Sequence, residues 1–302
     1  MSNRLKSLLS FLVLLILLTP FSASSAQEFD KVQIKTIKAT DQVYMLMGPG
    51  GNIGVSVGKD GVLLVDDQFA ELHEKIKTAI SKIHSGPIRF VLNTNWHYDH
   101  VKGNEPLGKA GAVIIAHENS RKRMAAEQYH PFFDLRIPPS PEVALPVMTF
   151  TDSITLYLND EEIYVFHIKN AHSDADIAIL FRKANVIHTG DLYFSAGYPF
   201  IDIPHGGCID GTIAAADTIL EMIDENTKVI PGHGPLSNRE GLKNYRHMLA
   251  TIRDRVMQQI KEGKTLEEII ASKPTSEFDE DWAEAMPPEA IVKIIYNDLS
   301  KR

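Results

Sequence analysis

Residues Thr94–Gly103 read TNWHYDHVKG and place His97, Asp99 and His100 within four positions. The stretch follows IRFVLNT (Ile88–Thr94), an apolar run that is typical of a buried strand. Imidazole nitrogen and carboxylate oxygen both bind zinc, at about 2.0–2.2 Å. In a loop after a strand, these side chains can turn toward neighbouring points, so we interpret the stretch as part of a metal site.

Three later fragments have the same placement, each directly after an apolar strand. NAHSDAD contains His172, HTGDLYF contains Asp191 and IPGHGPL contains His233. Asp66 likewise ends the apolar run VLLVD. Glycine beside a ligand permits the tight turns that direct a side chain back into a cleft. Because α/β folds place ligand sites at the carboxyl ends of their strands, we expect these fragments to converge on one site.

The order of predicted elements indicates an α/β fold. Val-rich runs broken by glycine at residues 42–48, 52–58 and 61–67 predict strands, and apolar residues at helical spacing predict a helix over Glu71–Ile83. Strands and helices alternate again in the second half, and the chain from about residue 237 is predicted to be helical. Such alternation is typical of α/β units.

The first 26 residues predict a secretory signal peptide. Arg4 and Lys6 give a basic start, residues 8–18 form an apolar run, and SSA at residues 24–26 offers a cleavage point. The run is shorter than the ~20 residues of a membrane-spanning helix, although an uncleaved anchor is the alternative. We therefore expect a periplasmic protein with one mature domain over residues 27–302 and no membrane contact after signal removal.

Composition narrows the range of partners. The full chain carries 31 Lys and Arg against 39 Asp and Glu, a net charge of −8, and loss of the signal would remove two of the basic residues. Nucleic acids and anionic membranes bind basic patches, so we expect neither as a partner and predict a small-molecule substrate. Cys208 is the sole cysteine, which excludes an internal disulfide. His130 and His205 fall in loops, where contact with substrate is the less favoured interpretation.

The ordered motifs N-x-H-x-D-H, H, GD and GHG, from about residue 43 to 236, resemble the metallo-β-lactamase superfamily of binuclear zinc hydrolases. The resemblance implies an αββα sandwich of the metallo-β-lactamase fold and a metal-activated water as nucleophile. It implies a ligand set in which one zinc is held by Asn95, His97 and His172, the other by Asp99, His100 and His233, and Asp191 bridges the two. Asp99 and Asp191 are then the candidate catalytic carboxylates.

The resemblance also implies supporting roles around the ligands. Asp66 matches a family aspartate that supports the motif loop by hydrogen bonds without binding metal. His188, three residues before Asp191, is a candidate for the same role. Tyr193 and Tyr198 are candidate substrate contacts that would donate to a developing oxyanion.

Asn95 departs from the usual H-x-H-x-D-H motif. Its amide oxygen is a weaker zinc donor than imidazole, so three interpretations compete. The protein holds one zinc tightly, or Asn95 ligates in a weaker two-zinc site, or activity is lost. Iron or manganese could also fill such a site.

The substrate prediction is a β-lactam first, with a glyoxalase II-like thioester or a lactone as alternatives. Against a β-lactam, Phe194 stands where one drug-hydrolysing subclass carries a lysine for the substrate carboxylate. The nearest resemblance is to exported β-lactamase-like proteins with a THWHxDHxGGN motif and a YPFID segment, here TNWHYDHVKGN and Tyr198–Asp202. An alternative of another class is a non-catalytic metal-binding accessory protein of a periplasmic redox system.

Overall fold

The structure is a computed structural model that describes residues 29–301, so the predicted signal peptide lies outside the described residues. Its strands are, in chain order, β1 (Lys35–Lys38), β2 (Val43–Met47), β3 (Ile53–Gly58), β4 (Gly61–Val65), β5 (Ile88–Asn93), β6 (Val113–His117), β7 (Gln128–His130), β8 (Leu135–Ile137), β9 (Met148–Phe150), β10 (Ser153–Leu158), β11 (Glu161–His167), β12 (Ile177–Phe181), β13 (Val186–His188), β14 (Lys228–Ile230) and β15 (Ser237–Asn238).

The α-helices of the described chain lie between and after these strands. They are α1 (His73–Ser81), α2 (Tyr98–Val101), α3 (Asn104–Lys109), α4 (Glu118–Met124), α5 (Ile209–Met222), α6 (Arg239–Lys261), α7 (Leu266–Ala271), α8 (Asp279–Trp282) and α9 (Pro288–Leu299). None of the helices between Phe29 and Lys301 combines the length and the apolarity that crossing a bilayer requires.

Two large sheets form the centre of the fold. The first has the order β1-β2-β3-β4-β5-β6-β9, and the second has the order β10-β11-β12-β13-β14-β15. Strands β4, β5, β6 and β9 run parallel to one another, and β13 runs parallel to β14. Parallel neighbours end at the same edge of a sheet, so the loops after β4 and β5, and those after β13 and β14, emerge side by side.

Three apolar layers explain why the sheets stack with helices outside. One layer, which includes Met45, Leu92 and Ile179, fills the space between the sheets. A second joins the outer face of the first sheet to α1, and a third joins the second sheet to α5, α6 and α9. Strands such as β4 and β12 are buried on both faces, which is why their sequences are continuously apolar. The predicted αββα sandwich is confirmed.

Local predictions differ from the structure in two places. The run ENSRKRMAAEQ at residues 118–128 predicts one helix, but α4 ends at Met124. Gln128–His130 instead pairs antiparallel with Leu135–Ile137 as a short hairpin. The tail, predicted to be helical from about residue 237, begins with β15 and then forms α6 to α9. The hairpin matters for function, because it carries His130 toward the strand ends.

Candidate metal centre

Asp66 fixes the loop that carries the metal-binding motif. It follows β4, is buried, and has a left-handed backbone with φ of 63°. Its Oδ1 accepts from the Thr94 amide at 2.7 Å, and its Oδ2 accepts from Thr94 Oγ1 at 2.7 Å. The same Oδ2 lies 2.8 Å from His100 Nδ1. Asp66 therefore joins two parallel strands and directs His100 Nε2 away from itself.

One group of ligand atoms comes from His97, His172 and Asp191, whose candidate donor atoms lie within 4.8 Å of one another. A carboxylate contacts the outer nitrogen of each histidine. Asp202 Oδ2 is 2.9 Å from His97 Nε2, and Asp176 Oδ1 is 2.9 Å from His172 Nδ1. Such contacts orient the rings and leave His97 Nδ1 and His172 Nε2 for a metal ion.

A second group of ligand atoms comes from Asp99, His100 and His233. His233 Nε2 lies 3.3 Å from Asp99 Oδ2, and His100 Nε2 lies 3.7 Å from the same oxygen. Asp99 and His233 are partly exposed, whereas His100 is fully buried. This group is thus reachable from solvent on one side.

Asp191 lies between the two groups. Its Oδ2 is 3.2 Å from His100 Nε2 and 3.5 Å from His172 Nε2, and its Oδ1 is 3.4 Å from His233 Nε2. One carboxylate therefore faces histidines of both groups. That is the position from which a single residue can ligate two ions.

Unsatisfied buried atoms show that the centre suits a cation. His100 Nε2, His172 Nε2 and Asp191 Oδ1 are buried without a hydrogen-bond partner. Buried polar groups are normally paired, so three unpaired ligand atoms around one point are suited to binding a cation. Imidazole and carboxylate donors fit zinc, and two aspartates offset much of the charge of two divalent ions.

The charges inside the centre are strongly coupled. Burial alone would raise the pKa of Asp191, but His100, His172 and His233 hold it well below its usual range. Burial opposes the shift at Asp99 too, where His100 and His233 lower the pKa. Both carboxylates therefore remain ionised at neutral pH and available to a metal.

Asn95 is fully buried, but its side chain serves the loop. Its Oδ1 accepts from the His97 amide at 2.7 Å, and its Nδ2 lies 3.3 Å from Thr94 Oγ1. The amide oxygen that would ligate a metal is thus already used by the backbone. As a proposed ligand, Asn95 would have to share that oxygen or rotate away from His97.

The proposed supporting and substrate residues occupy different places. His188 Nε2 lies 3.1 Å from Asn52 O, and its Nδ1 accepts from the Gly190 amide at 3.1 Å, so it supports the loop that carries Asp191. The Tyr193 hydroxyl meets Ser237 Oγ at 2.8 Å in the core, away from substrate. Tyr198 lines the cavity by its ring, but its hydroxyl donates to Asp279 at 2.8 Å. Both hydroxyls are therefore already hydrogen-bonded to other side chains.

A cavity of about 150 Å³ opens beside the two groups. His97, Asp99, Asp191 and His233 contribute to its lining. The other lining residues are mostly apolar: Tyr98, His130, Phe133, Leu135, Ile137, Phe194, Tyr198, Phe200, Ala285 and Met286. Four of them come from the β7–β8 hairpin and two from the segment before α9, so distant parts of the chain close over the centre.

Sequence reasoning missed the two carboxylates that orient the first group. Asp176 follows His172 by four residues in NAHSDAD, and this proximity was the available signal. Asp202 lies in the YPFID segment, 105 residues from His97, and no local pattern connects the two. His130 was given only a minor role, yet the hairpin stacks its ring on Trp96 at 5.0 Å and next to His97.

Known proteins resemble this chain in sequence and in fold. The hydroxyacylglutathione hydrolase of Pelagibacter ubique (strain HTCC1062) is 27% identical over 150 residues, 48% of this chain and 52% of that protein, so the chain spans about half its length. A metallo-beta-lactamase from Pontibacter korlensis superposes with a TM-score of 0.60 at 16% identity, over 72% of this chain and 99% of that one. The stereoselective inverting sec-alkylsulfatase Pisa1 from Pseudomonas sp. gives 0.68 at 18%, over 94% and 54%.

The two structural similarities show the fold alone, whereas the family is decided by sequence. The sequence model of the metallo-beta-lactamase superfamily matches residues 48–234, a range that includes each motif from Asp66 to His233. That range is more than half of the chain. The protein therefore belongs to the metallo-beta-lactamase superfamily.

Proposed function

We propose that the protein is a zinc-dependent hydrolase that cleaves an ester-type bond in an uncharged substrate with an apolar acyl chain. One observation carries the proposal. The orphaned donor atoms of His100, His172 and Asp191 converge beside a cavity whose walls are apolar. A metal centre next to an apolar cleft is the arrangement expected of an enzyme that binds a small hydrophobic substrate.

The chain's own residues would position the reaction. Zinc ions bound to the two groups would supply Lewis acidity and lower the pKa of a water molecule. Asp99 lines the cavity as an ionised carboxylate, so it can accept a hydrogen bond from an attacking water. Asp191 spans the two groups and would keep their separation fixed. No serine or cysteine nucleophile is required.

The walls of the cavity favour a neutral substrate. The lining includes Phe133, Leu135, Phe194, Phe200 and Met286, and no lysine or arginine of the described chain lines the cavity. A substrate carboxylate that enters an apolar cavity without a cationic partner loses hydration and gains no ion pair. An alkyl or aryl acyl chain instead gains about 25 cal/mol for each Å² that it buries.

This lining changes the order of the candidate substrates. A β-lactam carries a carboxylate, so we rank it below a lactone or a simple ester. A thioester is the second candidate, because the Pelagibacter relative is named a hydroxyacylglutathione hydrolase and is 27% identical over 150 residues. Glutathione carries two carboxylates, so a thioester with an uncharged thiol fits the walls better.

A substrate panel tests the proposal on zinc-loaded protein. We expect p-nitrophenyl octanoate and a γ-lactone with an alkyl chain to be hydrolysed faster than p-nitrophenyl acetate, a chromogenic cephalosporin or S-lactoylglutathione. Asp191→Asn should reduce the rate by at least about 100-fold, whereas the surface variant Lys243→Ala should not. Turnover of the cephalosporin alone would refute the neutral-substrate proposal, and no turnover with zinc bound would favour the accessory-protein alternative.

Export to the periplasm is a further part of the proposal, and it rests on the sequence of residues 1–26. Fractionation of cells that produce the full chain would test it. We expect the mature protein to start near Gln27 and to be released with the periplasmic fraction. Retention of residues 1–26 in the membrane fraction would support the uncleaved anchor instead.

A further inference from the structure

A third group of metal-ligand atoms lies on the outer side of His97. It consists of His97, His130 and Asp202, which we call the outer cluster, and their candidate donor atoms lie within 4.8 Å of one another. Asp202 Oδ2 is 2.9 Å from His97 Nε2 and 3.6 Å from His130 Nδ1. Ligand atoms on one zinc ion are separated by about 3.4 Å when each bond is 2.0–2.2 Å, so the 3.6 Å contact matches a shared ion. The 2.9 Å contact is a hydrogen bond that would lengthen by about 0.5 Å when an ion binds.

One nitrogen of the outer cluster lacks a hydrogen-bond partner. His130 is only 5% exposed, and its Nδ1 has no hydrogen-bond partner. The nitrogen faces the Asp202 carboxylate from beyond hydrogen-bond range. Burying such an atom unpaired destabilises the fold, and an ion between His130 and Asp202 would remove that cost.

The residues around Asp202 fix the position of its carboxylate. His205 Nδ1 lies 2.7 Å from Asp202 Oδ1 and 2.9 Å from Asp202 Oδ2. Trp96 packs its ring 4.8–5.0 Å from the rings of His97, His130 and His205. In metal sites of proteins, a hydrogen-bonding partner typically orients the carboxylate ligand, and neighbouring side chains pack tightly around the imidazole ligands.

His97 belongs to both the outer cluster and the first inner group, but through different nitrogens. Its Nε2 faces Asp202 and so leaves Nδ1 for His172 and Asp191. A neutral imidazole has one lone pair, so it ligates one ion at a time. The two sites therefore compete for His97. Asn95 does not favour the first inner site over the outer cluster, because its side-chain oxygen already accepts a hydrogen bond from the His97 amide.

An ion has a route to the outer cluster. His97 and His130 both line the cavity that opens beside the inner groups. Two imidazoles and one carboxylate leave a fourth position free for water on a tetrahedral ion.

We propose that the outer cluster binds a divalent metal ion of the zinc type through His97 Nε2, His130 Nδ1 and Asp202, as an alternative to the first inner site. The inference goes beyond the proposed hydrolase activity and does not depend on the substrate. The proposed ion would bind the opposite nitrogen of the histidine that the first inner site uses.

Metal counting on inner-site variants tests this proposal. The double variant His172→Ala/His233→Ala removes one imidazole from each inner group and leaves the outer cluster intact. We expect it to retain about one zinc per chain by elemental analysis after equilibrium dialysis. Adding His130→Phe, which keeps a ring to stack on Trp96, should reduce the content to near zero. Cobalt substitution should show the same loss by its visible absorption spectrum.

The matched control is His117→Phe in the same double variant. His117 is also buried and stacked on another ring, but it belongs to neither inner group nor to the outer cluster. We expect this variant to keep its zinc. A double variant that is folded by circular dichroism but free of zinc would overturn the proposal, as would zinc that persists after His130→Phe.

A zinc-edge anomalous map of crystals of the unsubstituted protein tests the site directly. A peak about 2.0–2.2 Å from His97 Nε2, His130 Nδ1 and Asp202 is expected at saturating zinc. Peaks confined to the inner groups would overturn the proposal, whether or not the variants fold.

Discussion

Replacing Gly232 with alanine is a sharp test of how the backbone positions the metal centre. Gly232 lies in the loop after β14, where its amide donates to Gly190 O at 2.8 Å and its carbonyl accepts from the Asn52 amide at 2.7 Å. A Cβ at position 232 would stand 2.2 Å from Asp191 Oδ1 and 2.6 Å from the Gly190 carbonyl carbon. The Gly190 carbonyl carbon belongs to the backbone, so movement of the Asp191 side chain alone cannot relieve the collision.

The size of the effect follows from these distances. Real Cβ atoms essentially never approach closer than 3.0 Å, so Asp191 Oδ1 must retreat by about 0.8 Å from its present 2.2 Å. A metal–ligand bond tolerates about 0.2 Å. Because loss of an orienting contact alone costs 10–100-fold in metal affinity, displacement of the bridging carboxylate should cost at least about 100-fold, or about 3 kcal/mol.

The assay is a competition titration of zinc against a chromogenic chelator, followed by the hydrolysis rate at saturating zinc. Gly232→Ala should bind zinc at least about 100-fold more weakly and turn over about 100-fold more slowly. Gly111→Ala is the control, since its Cβ would meet no atom within 4 Å but its φ of 93° makes it strained. That strain should lower the melting temperature by a few degrees and leave zinc affinity unchanged.

A Gly232→Ala variant that is folded and binds zinc as tightly as the unsubstituted protein would show that Asp191 Oδ1 is not a ligand atom. Equal weakening of zinc binding in Gly111→Ala would also contradict this role, because the effect would then reflect stability rather than the position of Asp191.

Three other predictions use the same preparations. Asp176→Asn removes the charged partner of His172 Nδ1, so zinc affinity should fall about 10–100-fold in the chelator titration, and an unchanged affinity would contradict an orienting role. Asn95→His adds an imidazole next to the first inner group, so zinc per chain at limiting zinc should rise; unchanged content would place position 95 outside the site. In metal-stripped protein, burial lowers the pKa of His172 but Asp176 and Asp191 raise it to about 9, above the ordinary 6.5. This difference corresponds to about 3 kcal/mol of stability, present below pH 6.5 and lost as pH rises toward 9, so thermal melts should show a falling melting temperature there. A melting temperature that rises with pH in this window would exclude the assignment.

The positions of the candidate ligands could be predicted because each follows a strand, and these strands are recognisable from the local sequence. His97, Asp191 and His233 come after apolar runs, and runs of that kind form buried strands whatever surrounds them. Parallel pairing then brings their ends to one edge. The ordered motifs indicated the family for the same reason, and the αββα fold followed from it.

The contacts that His97 makes with His130 and Asp202 could not be predicted from the sequence, because they depend on tertiary packing. His130 reaches His97 only because residues 128–130 pair with residues 135–137, whereas the local sequence suggested a continued helix. Asp202 reaches His97 across 105 residues. Tyr193 was predicted to donate to a developing oxyanion, and its buried position also depends on tertiary structure, because the turn at residues 190–192 directs its ring into the core.

The buried charges indicate that metal binding also contributes to folding. Asp66, Asp176, Asp191 and Asp202 are each less than 5% exposed, and each contacts at least one histidine. Isolated buried carboxylates are costly, and protonated histidines are the only cations that these contacts supply in the absence of metal. A metal ion replaces those protons, so it binds the folded chain and has no comparable site in the unfolded one. At a free zinc concentration 1,000 times the dissociation constant, this linkage stabilises the fold by about 4 kcal/mol. The candidate metal centre is therefore also a part of the core between the strand ends, and a variant that loses metal is expected to lose stability together with activity.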